Sequence, residues 1–554
     1  MPRTPAAALL GLALGCLALG PALGWGFVLV QDMVFVPDPE FSRFTFGLSG
    51  GAPRVVPSDA VVTALSAVLP GELVQKAVLL GIFVLGCSGA ARLVPSDGLG
   101  PRLVAGAFYV WNPYVAERLL MGQWALLLGY AGLPWVVGAV AREPARRGPV
   151  WRPAWRPAVA VLPAAVGGFA AMTVTALTAL PVALLGAPPD RSDTAGRWRR
   201  VAPVAVVLVV FSLPWLVPAL LRPAGVTGDG IGVEAFAARA DGPFGAVGSL
   251  LSLGGIWNAH AVPAGYGTPL GAVARLLLSL TGIAGFAALA GFAWRGRPAS
   301  GAAPAVSLRW RWGLVVAASA GFGVACLGVT APGRAALTWL VHLWGGFAVL
   351  RDAQQFVAPL ALLEAVGLGL AAAAAARALA GGGRWAVAVL ALVPLAVLPT
   401  MAWGATGALR AVPYPESWTA ARELIRRDPE PGDVLVLPFE SYRRFPWNGG
   451  RAVLDPAQRF FGGRGREVVA NDTVRVGDLV VPSEDERAQK LEHVLEAPSP
   501  DLLRAGFRYV VVDAGTPAER AEFDRWLRGA KLLVDASDLR LYRFGGTIAQ
   551  GLSE

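Results

Sequence analysis

The residues best suited to chemistry gather where apolar runs end. Residues 28–41, VLVQDMVFVPDPEF, close a long hydrophobic segment and then place Asp32, Asp38 and Glu40 close together. A carboxylate at such an exit suits a proton acceptor held at the membrane surface; the plainer alternative is a solvated helix end. A second group lies in VWNPYVAERLLMGQW (110–124), where Glu117 and Arg118 accompany Trp111, Asn112, Tyr114, Gln123 and Trp124. A third, HLWGGFAVLRDAQQF (342–356), carries Arg351, Asp352, Gln354 and Gln355. Glu117 with Arg118, and Arg351 with Asp352, can equally close local ion pairs. In LPFESYRRFPWNGGRAVLDPAQRFF (437–461), Tyr442, Trp447, Phe460 and Phe461 alternate with Arg443, Arg444, Arg451 and Arg459, beside Asn448 and Asp455. Aromatic rings flanked by hydrogen-bonding groups suit carbohydrate or lipid headgroups, and they suit a docking loop equally well.

What must position these groups is a membrane scaffold. The chain has 554 residues, 55% hydrophobic and 16% charged, which is too apolar for a soluble protein of this length. Residues 7–30 form a first span, too long for a signal-peptide core and lacking a small-x-small exit, so an uncleaved helix is expected. Further spans are read at 73–94, 103–119, 124–141, 157–171, 173–187, 201–221, 269–294, 313–331, 357–379 and 385–403. The third is interrupted by Asn112-Pro113, and the fifth and sixth divide one apolar run at Ala171-Met172. Eleven transmembrane helices result.

The net charge of +10 does not mark a nucleic-acid binder, because its excess sits in short loops between apolar runs. Arg142, Arg146, Arg147, Arg152 and Arg156 lie in one loop, and Arg191, Arg197, Arg199 and Arg200 in another. Arg295, Arg297, Arg309 and Arg311 crowd a third. The positive-inside rule then puts the N-terminus in the cytoplasm and loops 31–72, 110–124, 222–268 and 332–356 outside. Abundant Ala, Gly and Arg with three lysines is the bias of a high-GC bacterial genome, so the bacterial cytoplasmic membrane is the expected location. Cys16, Cys87 and Cys326 lie in apolar segments, while His260, His342 and His493 are far apart, so no metal-ligand set stands out.

After residue 403 the texture becomes that of a soluble domain, 404–554, which eleven spans place outside the cytoplasm. DVLVLPF (433–439), FRYVVVDA (507–514) and LRLYRFG (539–545) read as strands. Residues 417–427, capped by Ser417, and 518–531 read as helices. The fold class is a polytopic α-helical membrane protein, residues 1–403, with a C-terminal extracytoplasmic α/β domain.

This layout resembles the GT-C class of glycosyltransferases. Those enzymes have an N-terminal span, a large first outward loop with a carboxylate just past the helix exit, and frequently an acid in the second outward loop. Asp32 matches the first position and Glu117 the second. The chain lacks the WWD-type signature of the oligosaccharyltransferase branch, and no second acid adjoins Asp32, so that branch's metal dependence does not carry over. The resemblance implies transfer of a sugar from a polyprenyl-phosphate donor to an envelope glycan or glycolipid acceptor, with Asp32 and Glu117 as catalytic candidates. Arg54, Arg118 or Arg351 would hold the donor phosphate, with Asp352, Gln355 and Asn112 as further polar contacts. Trp111, Tyr114 and Trp124 would offer stacking faces to the sugar. Tyr442, Arg443, Arg444, Trp447, Asn448, Arg451 and Asp455 would form an acceptor or docking surface. No cofactor is firmly implied: arginines alone can neutralise a monophosphate, which leaves a divalent metal unneeded but not excluded. Two other readings fit the layout, an envelope-lipid transporter and a non-catalytic envelope-assembly protein. The transporter would need polar groups along a midplane path, for which Arg275 and Glu364 are the main candidates.

Overall fold

The computed structural model describes residues 3–142, 154–186, 194–221, 230–294, 310–379, 382–463, 465–513 and 516–545. Arg146, Arg147, Arg152, Arg191, Arg295, Arg297 and Arg309, which set the orientation above, lie outside them. The chain forms two compact units, one of Met1–Gly20, Ala77–Leu213 and Gly228–Gly407, the other of Pro21–Lys76, Pro214–Thr227 and Ala408–Glu554. The outward loop 31–72, together with the residues flanking it, thus clusters with the C-terminal residues.

The helices begin with α1 (Arg3–Leu19), α2 (Ser58–Ser66), α3 (Gly71–Leu93), α4 (Leu99–Val110) and α5 (Pro113–Leu120). Next come α6 (Trp124–Val140), α7 (Trp155–Leu185), α8 (Thr194–Leu221), α9 (Gly230–Ala235) and α10 (Gly245–Leu251). They continue through α11 (Pro269–Trp294), α12 (Trp310–Leu327), α13 (Ala331–Leu343), α14 (Ala358–Ala378) and α15 (Gly383–Val397). Among the described residues seven helices are long and apolar enough to cross a membrane, or eight if the pair bent by 67° at residue 398 is one span.

The eleven spans read from the sequence are not reproduced, for local reasons. The run 103–119 breaks where Asn112 caps α5 by accepting from Val115 N and Pro113 opens the new helix. Trp155–Leu185 is one helical segment with a kink at Gly168 (φ 76°, ψ −153°), three residues before the expected division. α6, at 17 residues, is short for a span.

In the first unit α14 is central: 89% of the most apolar window of its span is buried. Its sequence is mostly Ala and Leu, strong helix formers, with a proline confined to the first turn. α11 packs against it backbone to backbone, since a Cβ on Gly367 would fall 1.8 Å from Gly282 O. Small residues permit that approach where lipid supplies no hydrophobic drive between helices.

The second unit holds a four-stranded sheet of β1 (Asp433–Leu437), β2 (Phe507–Val512), β3 (Lys531–Asp535) and β4 (Arg540–Arg543), ordered β1-β2-β4-β3. β1 and β2 are parallel, and the other pairings are antiparallel. β2 is buried along its whole length, as expected of a central strand reading FRYVVV. The helix expected at 417–427 spans Glu416–Arg427, but Ser417 is not its cap, since its hydroxyl bonds Asp538 at 2.6 Å. The helix expected at 518–531 ends at Trp526, and the chain turns into β3.

A second core in this unit is aromatic. Tyr414, Trp418, Phe445, Trp447, Phe460 and Phe461 pack ring on ring, with centroids 4.8–5.8 Å apart. Edge-to-face and offset pairs of this kind add stabilisation beyond the area they bury.

Candidate functional site

Asp32 belongs to the second unit and is held by the backbone around it. Val30 and Met33 bond each other across a two-residue turn formed by Gln31 and Asp32. Gln31 sits at φ 46°, an unfavourable conformation for a residue with a Cβ. Its N–H donates to Ala452 O at 2.7 Å, and its carbonyl accepts from Leu454 N at 2.8 Å. Nearby, Gln75 bonds both backbone groups of Val28, at 2.8 and 2.9 Å, and Asn448 Nδ2 donates to Leu29 O at 3.0 Å. The exit segment is therefore an ordered part of this unit rather than a solvated loop.

At the tip of the turn the half-buried Asp32 accepts a hydrogen bond from the Tyr442 hydroxyl at 2.5 Å. Burial first, and the Asp32 charge second, raise the Tyr442 pKa well above the phenol range, so the phenol stays a donor. Arg54 is ion-paired to Glu484 at 2.7 Å. Its pKa is raised chiefly by Glu484, with Asp472 and Asp32 adding to the effect. The sequence reading placed Tyr442 among acceptor-side residues and passed over Asp472 and Glu484, which lie hundreds of residues from Asp32. Asp38, largely exposed, lies 3.9 Å from Arg422, and Glu40 pairs with Arg426.

The remaining residues of the aromatic and arginine stretch serve several contacts. Arg443 pairs with buried Asp513 and lies 3.8 Å from Asp455, whose carboxylate also accepts from Ala457 N at 2.8 Å. Arg451 donates to Asn448 O and Ala408 O, while Arg444 is exposed and bonds Gly450 O. Trp447 stacks on Phe445 with centroids 5.0 Å apart.

Glu117 and Arg118 sit in the first unit on α5, and each is only 2% exposed. They do not pair as a simple ion pair. Arg118 reaches Asp352 with both terminal nitrogens, at 2.9 and 3.3 Å, and donates to Gln123 Oε1 at 2.7 Å. Its guanidinium lies 5.5 Å from the Tyr114 ring centroid. The Tyr114 hydroxyl donates to Gln355 O at 3.0 Å, and the Gln355 amide donates to Val349 O at 2.7 Å. Arg351 is buried and bonds Ala348 O at 3.3 Å. Trp111 Nε1 donates to Leu398 O at 3.0 Å, and Asn112 Nδ2 serves Phe108 O, Tyr109 O and Tyr130 Oη. Trp111 and Asn112 also line a narrow cleft with Ser252, Arg275 and Ser279. Trp124 is buried.

Glu117 turns the other way, toward Asp241, which the sequence reading did not single out. Glu117 Oε2 accepts from Ile256 N at 3.2 Å, and its Oε1 and Asp241 Oδ2 both crowd Gly254. Asp241 also accepts from Gly255 N. Burial, and then the neighbouring carboxyl, raise the Glu117 pKa well above its usual range; burial raises that of Asp241 too. The only advance sign of Asp241 was an acid within outward loop 222–268. Among the described residues no group of three or more His, Cys, Asp or Glu could hold a metal ion.

No protein-family model matches the sequence, and the search of curated proteins returned no match. Among solved structures, the arabinofuranosyltransferase AftD from Mycobacteria is similar over 98% of this chain, at 18% identity and a TM-score of 0.57. A second class of the same enzyme gives 16% and 0.53. This chain spans only 41% of AftD, about two fifths of its length. The Archaeoglobus fulgidus oligosaccharyltransferase tethered to an acceptor peptide is similar at 12% identity over 98% of this chain and 74% of that one, with a TM-score of 0.43. The chain therefore has the fold expected of the GT-C class, a polytopic helical membrane protein with an α/β domain near its C-terminus.

Proposed function

We propose that this chain is a membrane glycosyltransferase that moves a sugar from a polyprenyl-phosphate donor to a glycan or lipid acceptor of the bacterial envelope. The observation that carries the reading is Asp32, a half-buried carboxylate on a constrained turn just past the first apolar helix, oriented by the Tyr442 hydroxyl and set near the Arg54 charge. The AftD-like scaffold supports the general activity.

In this reading an acceptor hydroxyl attacks the anomeric carbon, and its proton passes to the Asp32 carboxylate. The bond from the anomeric carbon to the phosphate oxygen breaks, and the polyprenyl phosphate leaves with the electron pair. A carboxylate offers about four acceptor positions, so a single bond from Tyr442 orients it without exhausting it. Arg54 is the cation suited to the departing phosphate, because its charge already lies near Asp32. Lipid-linked chemistry of this kind belongs on the extracytoplasmic face, where the positive-inside reading of the sequence expects this turn.

The test is an in vitro assay of purified full-length protein with polyprenyl-phosphate sugars and envelope glycan or glycolipid acceptors. Transfer that depends on the lipid-linked donor supports the reading. Absence of transfer from every such donor, with the protein folded, would overturn it in favour of an envelope-assembly role.

A further inference from the structure

Residues 252–256 cross α5 as a short strap whose fastenings converge on two carboxyls. Leu253 and Gly255 adopt left-handed backbone conformations, at φ 68° and 91°. Gly254 N is held by Ser249 O at 2.8 Å, and Gly255 O accepts from Arg239 N at 3.2 Å. The two N–H groups that follow point at acids, Gly255 N at Asp241 and Ile256 N at Glu117. Farther on, Asn258 Nδ2 reaches Met121 Sδ at 3.4 Å, a second tie to the end of α5.

Gly254 shows how tightly the acids are drawn together. A Cβ there would fall 2.7 Å from Asp241 Oδ2, 2.7 Å from Tyr266 Oη and 3.0 Å from Glu117 Oε1. Three oxygens from three parts of the chain thus crowd one point. Glu117 Oε1 is buried and receives no N–H or O–H from a conventional donor, and its neighbour is the Asp241 carboxyl. Two ionised carboxylates cannot share such a place without strong repulsion, whereas one proton between them turns repulsion into a hydrogen bond.

We propose that Glu117 and Asp241 share a single proton, and that this proton is the catch that fastens the 252–256 strap over α5. The inference goes beyond the transfer reaction and does not depend on it. Arg118 approaches the pair from α5, with its charge committed to Asp352. Arg275 approaches from α11 with its guanidinium 3.5 Å from the Tyr266 ring centroid, and Arg239 lies on the segment before Asp241. These cations favour ionisation, as do the two strap N–H groups; burial and the carboxyl–carboxyl contact oppose it. The balance leaves one proton in place. When it departs at high pH, the two like charges separate, the strap lifts, and Glu117 and Tyr266 become exposed to solvent.

The experiment uses full-length protein in lipid nanodiscs, with two readouts. Infrared difference spectra at neutral pH compare wild type with Glu117→Gln and with Asp241→Asn; each substitution is expected to remove a protonated-carboxyl C=O band. Hydrogen–deuterium exchange over residues 252–256 is then followed against pH and corrected for intrinsic exchange. In wild type, protection is expected to fall about tenfold or more as the pair loses its proton, the scale of one hydrogen bond to a charged group. In Glu117→Gln the amide supplies a permanent donor to Asp241, so protection persists at high pH. The proposal is overturned if neither substitution removes a protonated-carboxyl band. It is equally overturned if exchange in Glu117→Gln tracks wild type at every pH. Should a substitution impair folding, infrared titration of the wild type decides: a carboxyl proton lost together with strap protection supports the catch, and protection indifferent to that loss refutes it.

Discussion

Asp32 lies half-buried at the tip of a two-residue turn and accepts from a phenol, whereas Glu117 is buried on a helix and faces another carboxyl. Around Asp32, the Tyr442 hydroxyl donates to the carboxylate, and the charges of Asp32 and Arg54 act on one another. The surroundings of Glu117 favour a retained proton, because burial and Asp241 outweigh Arg118. Two acids picked out by one criterion, a carboxyl beside an apolar run, therefore sit in unlike surroundings. In the proposed transfer the first takes up a proton, and in the proposed catch the second keeps one.

The largest expected effect belongs to Asp32→Asn. It retains the hydrogen bond from Tyr442 while removing the basic oxygen, so transfer should fall by about 10²–10⁴-fold with little change in thermal stability. Unchanged kcat in the donor assay would erase the contrast between the two acids. Arg118→Ala probes the other side and should act on stability. It leaves Asp352 without its bidentate partner in a largely buried place, a loss of about 3 kcal/mol measurable by chemical denaturation in detergent. The carboxyl pair adds a pH signature. A group whose folded pKa exceeds its unfolded value holds a proton that the unfolded chain has released. Stability should therefore decline as pH rises above the ordinary carboxylate range toward the raised folded value. Doubly substituted Glu117→Gln/Asp241→Asn protein should show a flatter stability–pH curve over that window.

Legibility from sequence followed range. Asp32 could be found because its signal is local, an acid directly after an apolar run. Its orienting partner could not, because Tyr442 lies 410 residues away and meets it through long-range ties such as those of Gln31 to residues 452 and 454. Asp241 was obscured for the same reason, since nothing local in ARADGPFG announces a carboxyl partner on α5. The strands were readable because β-branched runs between Gly, Pro and Asp signals are also local. The span count was harder, because composition alone does not say that Asn112 turns from a residue inside an apolar run into a helix cap. The aromatic and arginine stretch at 437–461 drew attention by its composition. Composition could not foretell that Phe445, Trp447, Phe460 and Phe461 would pack largely against Tyr414 and Trp418.

Two smaller perturbations sharpen the comparison on the Asp32 side. Tyr442→Phe removes the hydroxyl and leaves the ring. If the phenol only orients the carboxylate, kcat should fall by about tenfold, the lower range for a hydrogen bond to a charged group, well short of the Asp32→Asn loss. A fall as large as that of Asp32→Asn would make the phenol a partner in proton transfer instead. Arg54→Ala should do least to the fold. Its side chain is 56% exposed, so the pair with Glu484 is screened and its removal should cost no more than about 1 kcal/mol. The informative readout is KM for the lipid-linked donor: a cation that receives the phosphate should raise it when lost, and Arg54→Lys, which keeps the charge without the planar fork, should restore part of the affinity. Equal KM for Ala, Lys and wild type would reduce Arg54 to a surface partner of Glu484. The phosphate-binding role would then pass to another arginine, while the predictions for Asp32 and Tyr442 would stand.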